Sequence, residues 1–226
     1  MNIYEEVNRI FENMGVSVRQ AAKAFGYDEI DIAILDGNID FVLWNAPDVY
    51  NNIVSCAHQA DTRDAFAYAR DLVACWVYES YFRFLLSRVG IKMDLAGSDK
   101  DRVILPASGV SNNSDYVWHL PDGENRNIEL VCDFGGYWGR KGVMHLRDNK
   151  YIHLAENASI LMGIDCVNHR VYLIDFSHGK DEVPARYLEE HPRWHKPAYE
   201  IDLKDCKVVT CQSTVQSVKK ALSLVA

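Results

Sequence analysis

The stretch SDYVWHLPDGENRNIELVCDFGGYW, Ser114 to Trp138, reads as two strands folded about the polar turn PDGEN, with three carboxylates inside those strands. Carboxylates gain little from packing in a strand interior and lose hydration there. Side chains alternate across a strand, so Asp115, Val117 and His119 share one face of the first strand, with Tyr116, Trp118 and Leu120 on the other. On the second strand Glu129, Val131 and Asp133 share a face, opposite Ile128, Leu130, Cys132 and Phe134. The turn brings Asp115 opposite Glu129 or Val131. Seven apolar side chains then face a core, while three acids and a histidine gather on the other side. Mutual repulsion makes such a cluster unfavourable unless something positive compensates it. A divalent cation does so: magnesium, or manganese, takes carboxylate oxygens together with water and phosphate. A metal held there polarises a phosphoryl oxygen and lowers the pKa of an attacking water. The plainer reading is an antiparallel sheet with one wet face, and alternation alone leaves both open.

The elements around the hairpin must position it. DTRDAFAYARDLVACWVYESYFRFLLSRVG reads as the clearest helix, capped by Asp61 or Thr62 and stopped by Gly90. Phe66, Val73, Trp76, Val77, Tyr81, Phe84 and Leu85 form its wide apolar face. A second stripe of Leu72, Cys75 and Leu86 includes Glu79, which needs a partner if the helix is buried. That partner is either a nearby arginine or a metal and water network. IKMDLAGSDKDRVILP reads as strand, turn and strand, and GRKGVMHLRDNKYIHLAENA as a glycine-rich loop entering a helix. SILMGIDCVNHRVYLIDFS is a second hairpin turning at Asn168 and His169. The tail has a loop-rich stretch, VPARYLEEHPRWHKPAYEIDL, and a closing helix, STVQSVKKALSLV. The order predicts an α/β fold, a mixed β-sheet flanked by helices.

Residues 1–60 are expected to form an acidic helical subdomain of two or three short pieces, with the α/β core over 61–226. VSVRQAAKAFGYDEIDIAIL has the cadence of two helices about Gly26, but the second, DEIDIAIL, offers no arginine to DNA. The formal net charge of −8 argues against a polyanionic partner. Residues 1–64, however, hold eleven acids and four bases and so carry nearly all of that excess. The rest is nearly neutral, and charge does not exclude nucleic acid.

Six cysteines without a Cys-x-x-Cys pair read as core thiols rather than a disulfide framework or zinc site. His191 and His195 of HPRWHKP have no neighbouring residues to complete a metal site. The chain has no run long and apolar enough to span a membrane, and its acidic beginning is unlike a secretory signal, so the cytoplasm is expected.

The order helix, three-stranded meander, helix, strand resembles the PD-(D/E)XK nuclease superfamily, which includes restriction enzymes, Holliday-junction resolvases and RecB-like nucleases. The resemblance covers roughly residues 64–176. It implies a restriction-endonuclease-like sheet and a divalent-metal-dependent nuclease hydrolysing phosphodiester bonds in DNA, such as a restriction-type endonuclease. It places Glu79 at the acidic position of the first helix, Asp115 at the strand aspartate and Glu129 at the acid of the tripeptide. Asp115 and Glu129, with Asp133 added, would hold Mg2+ or Mn2+. Ser114 stands in place of the motif's proline and Val131 in place of its lysine, which normally orients the attacking water. Lys150 or Lys141, from the following segment, would supply that ammonium. RDNKY resembles the Gln-x-x-x-Tyr element of RecB-like members, which makes Arg147 and Tyr151 candidates for gripping substrate. Arg140 and Lys141 lie among Gly135, Gly136, Gly139 and Gly142 in a basic loop suited to a phosphate backbone, with Tyr137 and Trp138 able to stack on bases.

The missing lysine leaves an alternative: a non-catalytic nuclease-fold protein serving as a DNA- or protein-binding regulatory module. An unrelated α/β protein whose acidic face is only wet surface is a third reading. Nucleases that cut both strands often pair symmetrically, so a homodimer is expected.

Overall fold

The computed structural model describes residues 2–56, 64–105, 114–120, 122–179, 183–192, 195–211 and 213–223. The chain forms two compact units, 1–84 with 101–111, and 85–100 with 112–226. The break expected at residues 60/61 lies outside the described residues, as do Asp61 and Thr62.

The first unit is helical. Its described helices before the long one are α1 (Ile3–Glu12), α2 (Val18–Ala24), α3 (Glu29–Asp36), α4 (Ile39–Asn45) and α5 (Pro47–Ser55). That is more pieces than the two or three expected, because local signals restart the chain repeatedly. Ser17 and Gln20 form a capping box at α2, Asp28 caps α3, Asn38 caps α4, and Pro47 opens α5. Gly37 ends α3 in the left-handed region at φ 69°, where a Cβ would be strained. The long helix α6 runs Ala65–Arg88, started by Asp64, whose Oδ1 accepts from Ala67 N at 2.8 Å. Val73, Trp76, Val77 and Leu86 are buried as the apolar pattern requires, whereas Phe84 is half exposed.

The second unit holds a six-stranded and a three-stranded sheet. The larger has β1 (Lys92–Leu95), β2 (Tyr116–His119), β3 (Asn125–Asp133), β5 (Ile160–Asp165), β6 (Arg170–Asp175) and β9 (Lys207–Thr210), in that lateral order. Only β3 and β5 pair in parallel; the other neighbours are antiparallel. The parallel pair needs a crossover, and the chain between those strands supplies α7 (Tyr137–Lys141), β4 (Val143–Arg147) and α8 (Asp148–Glu156). The fold is thus α/β, with a mixed sheet and an N-terminal helical region.

Three local expectations are corrected. Among the described residues of IKMDLAGSDKDRVILP no second strand follows β1; Ser98–Asp101 make a 3-10 turn and residues 102–105 are irregular. The supposed basic loop is α7, held between Gly136 and Gly142 at φ 68° and 70°. The segment after it is a strand, β4, which joins β8 (Ala198–Asp202) and β7 (Ala185–Leu188) from the stretch expected to be loop. The closing helix is present as α9 (Thr214–Leu222).

Between the two sheets lies a core including Trp138, Met144, Leu146, Leu161 and Tyr172, on which Val131 packs. Gly163 on β5 faces it so closely that a Cβ there would collide with the side chains of Met144 and Trp138.

Candidate active site

The hairpin register follows from its apolar face. Tyr116, Trp118, Leu120 and Ile128 are buried, and Tyr116 pairs with Ile128 across the ladder. The next rung therefore sets Asp115 across from Glu129, one of the two partners the sequence allowed. Asp115 is fixed by its own backbone and side chain: its carbonyl accepts from Ala96 N at 2.8 Å, and its Oδ2 accepts from Leu130 N at 2.9 Å. Glu129 lies between β2 and β5, where it pairs with Leu161, and is only 4% exposed. The two carboxyls lie within hydrogen-bonding reach of each other.

Lys150 completes the group. It projects from the first turns of α8 and places Nζ 2.5 Å from Glu129 Oε1. The other oxygen, Glu129 Oε2, is buried without a hydrogen-bond donor. Burial, reinforced by the neighbouring Asp115 charge and opposed by Lys150, pushes the Glu129 carboxyl up to about 9. One buried acid and one partly exposed acid beside a single ammonium carry one negative charge too many unless a proton or a cation joins them.

The position of Val131 explains why the ammonium comes from a helix. Val131 shares the Glu129 face and is partly buried, packed against the core between the sheets. A lysine at 131 would start its side chain against that apolar cluster, an unfavourable place for a charge. Lys150 instead enters from the border of that core and stays a quarter exposed.

The other candidates do not join this group. Asp133 stands four residues farther along β3, and both its oxygens are used by the backbone: Oδ1 accepts from Gly135 N at 3.2 Å and Oδ2 from Trp138 N at 2.7 Å. It shapes the turn into α7, a role its distance from Trp138 in sequence hides. Lys141 is exposed at the end of α7. Arg140 ties that turn, with Nη1 donating to Gly135 O at 2.6 Å. Trp138 is buried in the core, so it offers no face to a base. Arg147 is exposed at the end of β4 and immediately precedes α8.

Tyr151 is corrected from a substrate ligand to a core residue. It is 2% exposed, stacks on Tyr199 with centroids 3.9 Å apart, and donates its hydroxyl proton to Val183 O at 3.2 Å. Glu79 belongs to the first unit, where Arg102 Nη1 lies 3.1 Å from its Oε2. The arginine partner is the plainer of its two sequence readings.

Sequence reasoning missed Asp94, on the edge strand β1. His119 bonds Asp94 Oδ2 through Nε2 and Asn125 Oδ1 through Nδ1, both at 2.8 Å. The signal was the alternation in β1, which puts Lys92 and Asp94 on the face of His119 and Val117. Among the described residues no three His, Cys, Asp or Glu side chains converge as a metal site. An ion here would rest on two carboxylates.

Comparison of the chain with protein-family models, with curated proteins and with solved structures found no significant match to any of them.

Proposed function

We propose that this protein is a divalent-metal-dependent nuclease of the PD-(D/E)XK kind, hydrolysing phosphodiester bonds in DNA. The observation that carries this reading is buried Glu129 beside partly exposed Asp115, with Lys150 Nζ 2.5 Å from Glu129 Oε1. The order of elements supports it: helix α6, the meander β1–β2–β3, helix α8, then β5 parallel to β3. The acids lie at the start of β2 and within β3, as that resemblance requires.

The residues fit magnesium or manganese. The Glu129 oxygen that lacks a donor and the adjacent Asp115 carboxyl offer hard anionic ligands, and magnesium commonly uses one or two carboxylates with waters and phosphate oxygens. Bound there, the ion would supply charge neutralisation at the phosphoryl group and a more acidic water. The protein's own part is positional. Leu130 N holds Asp115 in place, β3 and β5 hold Glu129, and α8 aims an ammonium at the same point. Lys150, partly open to solvent, can orient a water and offset negative charge growing on the phosphate. Arg147, exposed one turn before Lys150, is placed to meet a neighbouring phosphate.

The test is incubation of pure protein with plasmid, linear duplex and single-stranded DNA in magnesium or manganese, beside Glu129→Ala and Asp115→Ala. Cutting that both substitutions abolish supports the reading. Cutting that survives them removes the site. Metal-dependent DNA binding without cutting would favour the non-catalytic module.

A further inference from the structure

The helical first unit carries a surface feature that the nuclease reading does not use. Trp44 on α4 is 80% exposed, far more than any other large apolar side chain described as exposed. Ile39 and Leu43, one turn apart on the same helix, are 39% and 38% exposed. Helical spacing puts Ile39, Leu43, Asp40 and Trp44 on one outward side, while Val42 points into the core. Along one flank runs a cleft of about 220 Å³ lined by Ile34, Ile39, Val42, Phe66 and Ala67, with Asp64 and Arg70 at its polar edge. Of the three exposed apolar residues Ile39 lines that cleft, and an exposed tryptophan on the same short helix as exposed leucine and isoleucine is the composition of interface hot spots.

The charge around it selects the occupant. From Asp28 to Cys56 the sequence has six acids, Asp28, Glu29, Asp31, Asp36, Asp40 and Asp48, and no lysine or arginine. Two nearby arginines of other segments are committed: Arg19 pairs with Asp36 at 2.9 Å, and Arg70 donates to Leu35 O while lying 3.5 Å over the Tyr4 ring. Lys23 lines the cleft on the other flank of α4. An acidic frame around an apolar stripe repels nucleic acid, an anionic membrane surface and a second copy of the same acidic face. It attracts a helix with leucine-like side chains on one side and lysine or arginine on the other.

We infer that the α4 face, Ile39, Leu43 and Trp44 within its acidic border, is a docking surface for a basic amphipathic helix of a partner protein. Trp44 is the anchor, and Asp40 and Asp48 supply attraction and orientation. The surface lies wholly in the first unit and does not depend on the Asp115–Glu129 site.

The experiment uses full-length protein and a fluorescein-labelled 18-residue helix of leucine and lysine in amphipathic order, read by anisotropy near 0.1 M salt. A second peptide replaces every lysine by glutamate. Micromolar binding of the lysine peptide is expected, with at least tenfold loss for Trp44→Ala and a smaller loss for Asp40→Asn with Asp48→Asn. Circular dichroism checks that the variants fold, and Val208→Ala, an exposed apolar side chain on β9 of the second unit, serves as a control that keeps full affinity. Equal binding by Trp44→Ala, or by the glutamate peptide, overturns the inference. So does sedimentation showing a dimer that Trp44→Ala dissolves, or binding of single-stranded DNA or anionic vesicles that Trp44→Ala abolishes.

Discussion

Lys150 meets Glu129 across an element boundary: Nζ on α8 lies 2.5 Å from Oε1 on β3, although the two are 21 positions apart. The familiar route to such a pair is along one strand. Here the strand position two residues on is Val131, partly buried against the core, and the helix supplies the charge.

Lys150→Ala is therefore expected to lower DNA cleavage by about 10²–10³-fold, the usual cost of removing one donor aimed at developing charge. Single-turnover cutting of a labelled duplex measures it. Metal-dependent DNA binding should persist, because the two carboxylates remain.

Placing a lysine on the strand is not expected to repair that loss. In Lys150→Ala with Val131→Lys the new side chain starts against the apolar cluster, at an expected cost of about 2 kcal/mol of stability. Urea denaturation should report the destabilisation, and cleavage should stay at the single-variant level.

Glu129→Gln should separate stability from activity. The Glu129 carboxyl is raised from 4.5 to about 9 by burial and Asp115. Between those values the folded state keeps a proton that the unfolded chain has released, so this group's contribution to stability declines as pH rises through the window. The variant's stability relative to wild type should improve from pH 5 to pH 9 in paired denaturation curves, while its cleavage is lost.

Manganese should stabilise the protein through the same pair. At a concentration about 100 times Kd, linkage adds about 2.7 kcal/mol, visible as a rise in Tm by calorimetry. Asp115→Asn should remove most of that rise.

Tyr151 should respond as a core residue. Tyr151→Phe loses one hydrogen bond to Val183 O and should cost about 1 kcal/mol. Tyr151→Ala should cost about 3–5 kcal/mol. DNA affinity of the folded Phe variant should match wild type in a filter-binding assay.

The legible parts of this molecule are those with a short period. Alternation in the hairpin gave the buried row Tyr116, Trp118, Leu120, because a one-residue slip would expose the whole row, but it left Asp115 facing either Glu129 or Val131 until the Tyr116–Ile128 rung fixed the register. Lys150 could be named as one of two candidates, since only helix α8 and the glycine-flanked turn follow β3 closely. Choosing between them needed the geometry. Asp133 misled because it shares the strand face of Glu129, yet local backbone amides of Gly135 and Trp138 outcompete any distant ligand for its oxygens. The three-stranded sheet was hidden because β4, β7 and β8 are short and scattered in sequence. Tyr151 sat at the expected motif position, but nothing local reveals that Tyr199 will stack on it.

The small sheet has a consequence for how damage to this protein would be read. Lys150 rides on a helix whose inner side chain, Tyr151, is clamped by Tyr199 of β8. On the proposed nuclease reading, the ammonium's aim thus depends on a residue 49 positions downstream, in a different sheet. Loosening Tyr199 would let the carboxylates stay put while the helix drifts off target, so a lesion in the C-terminal third would masquerade as a loss of chemistry in an otherwise folded molecule.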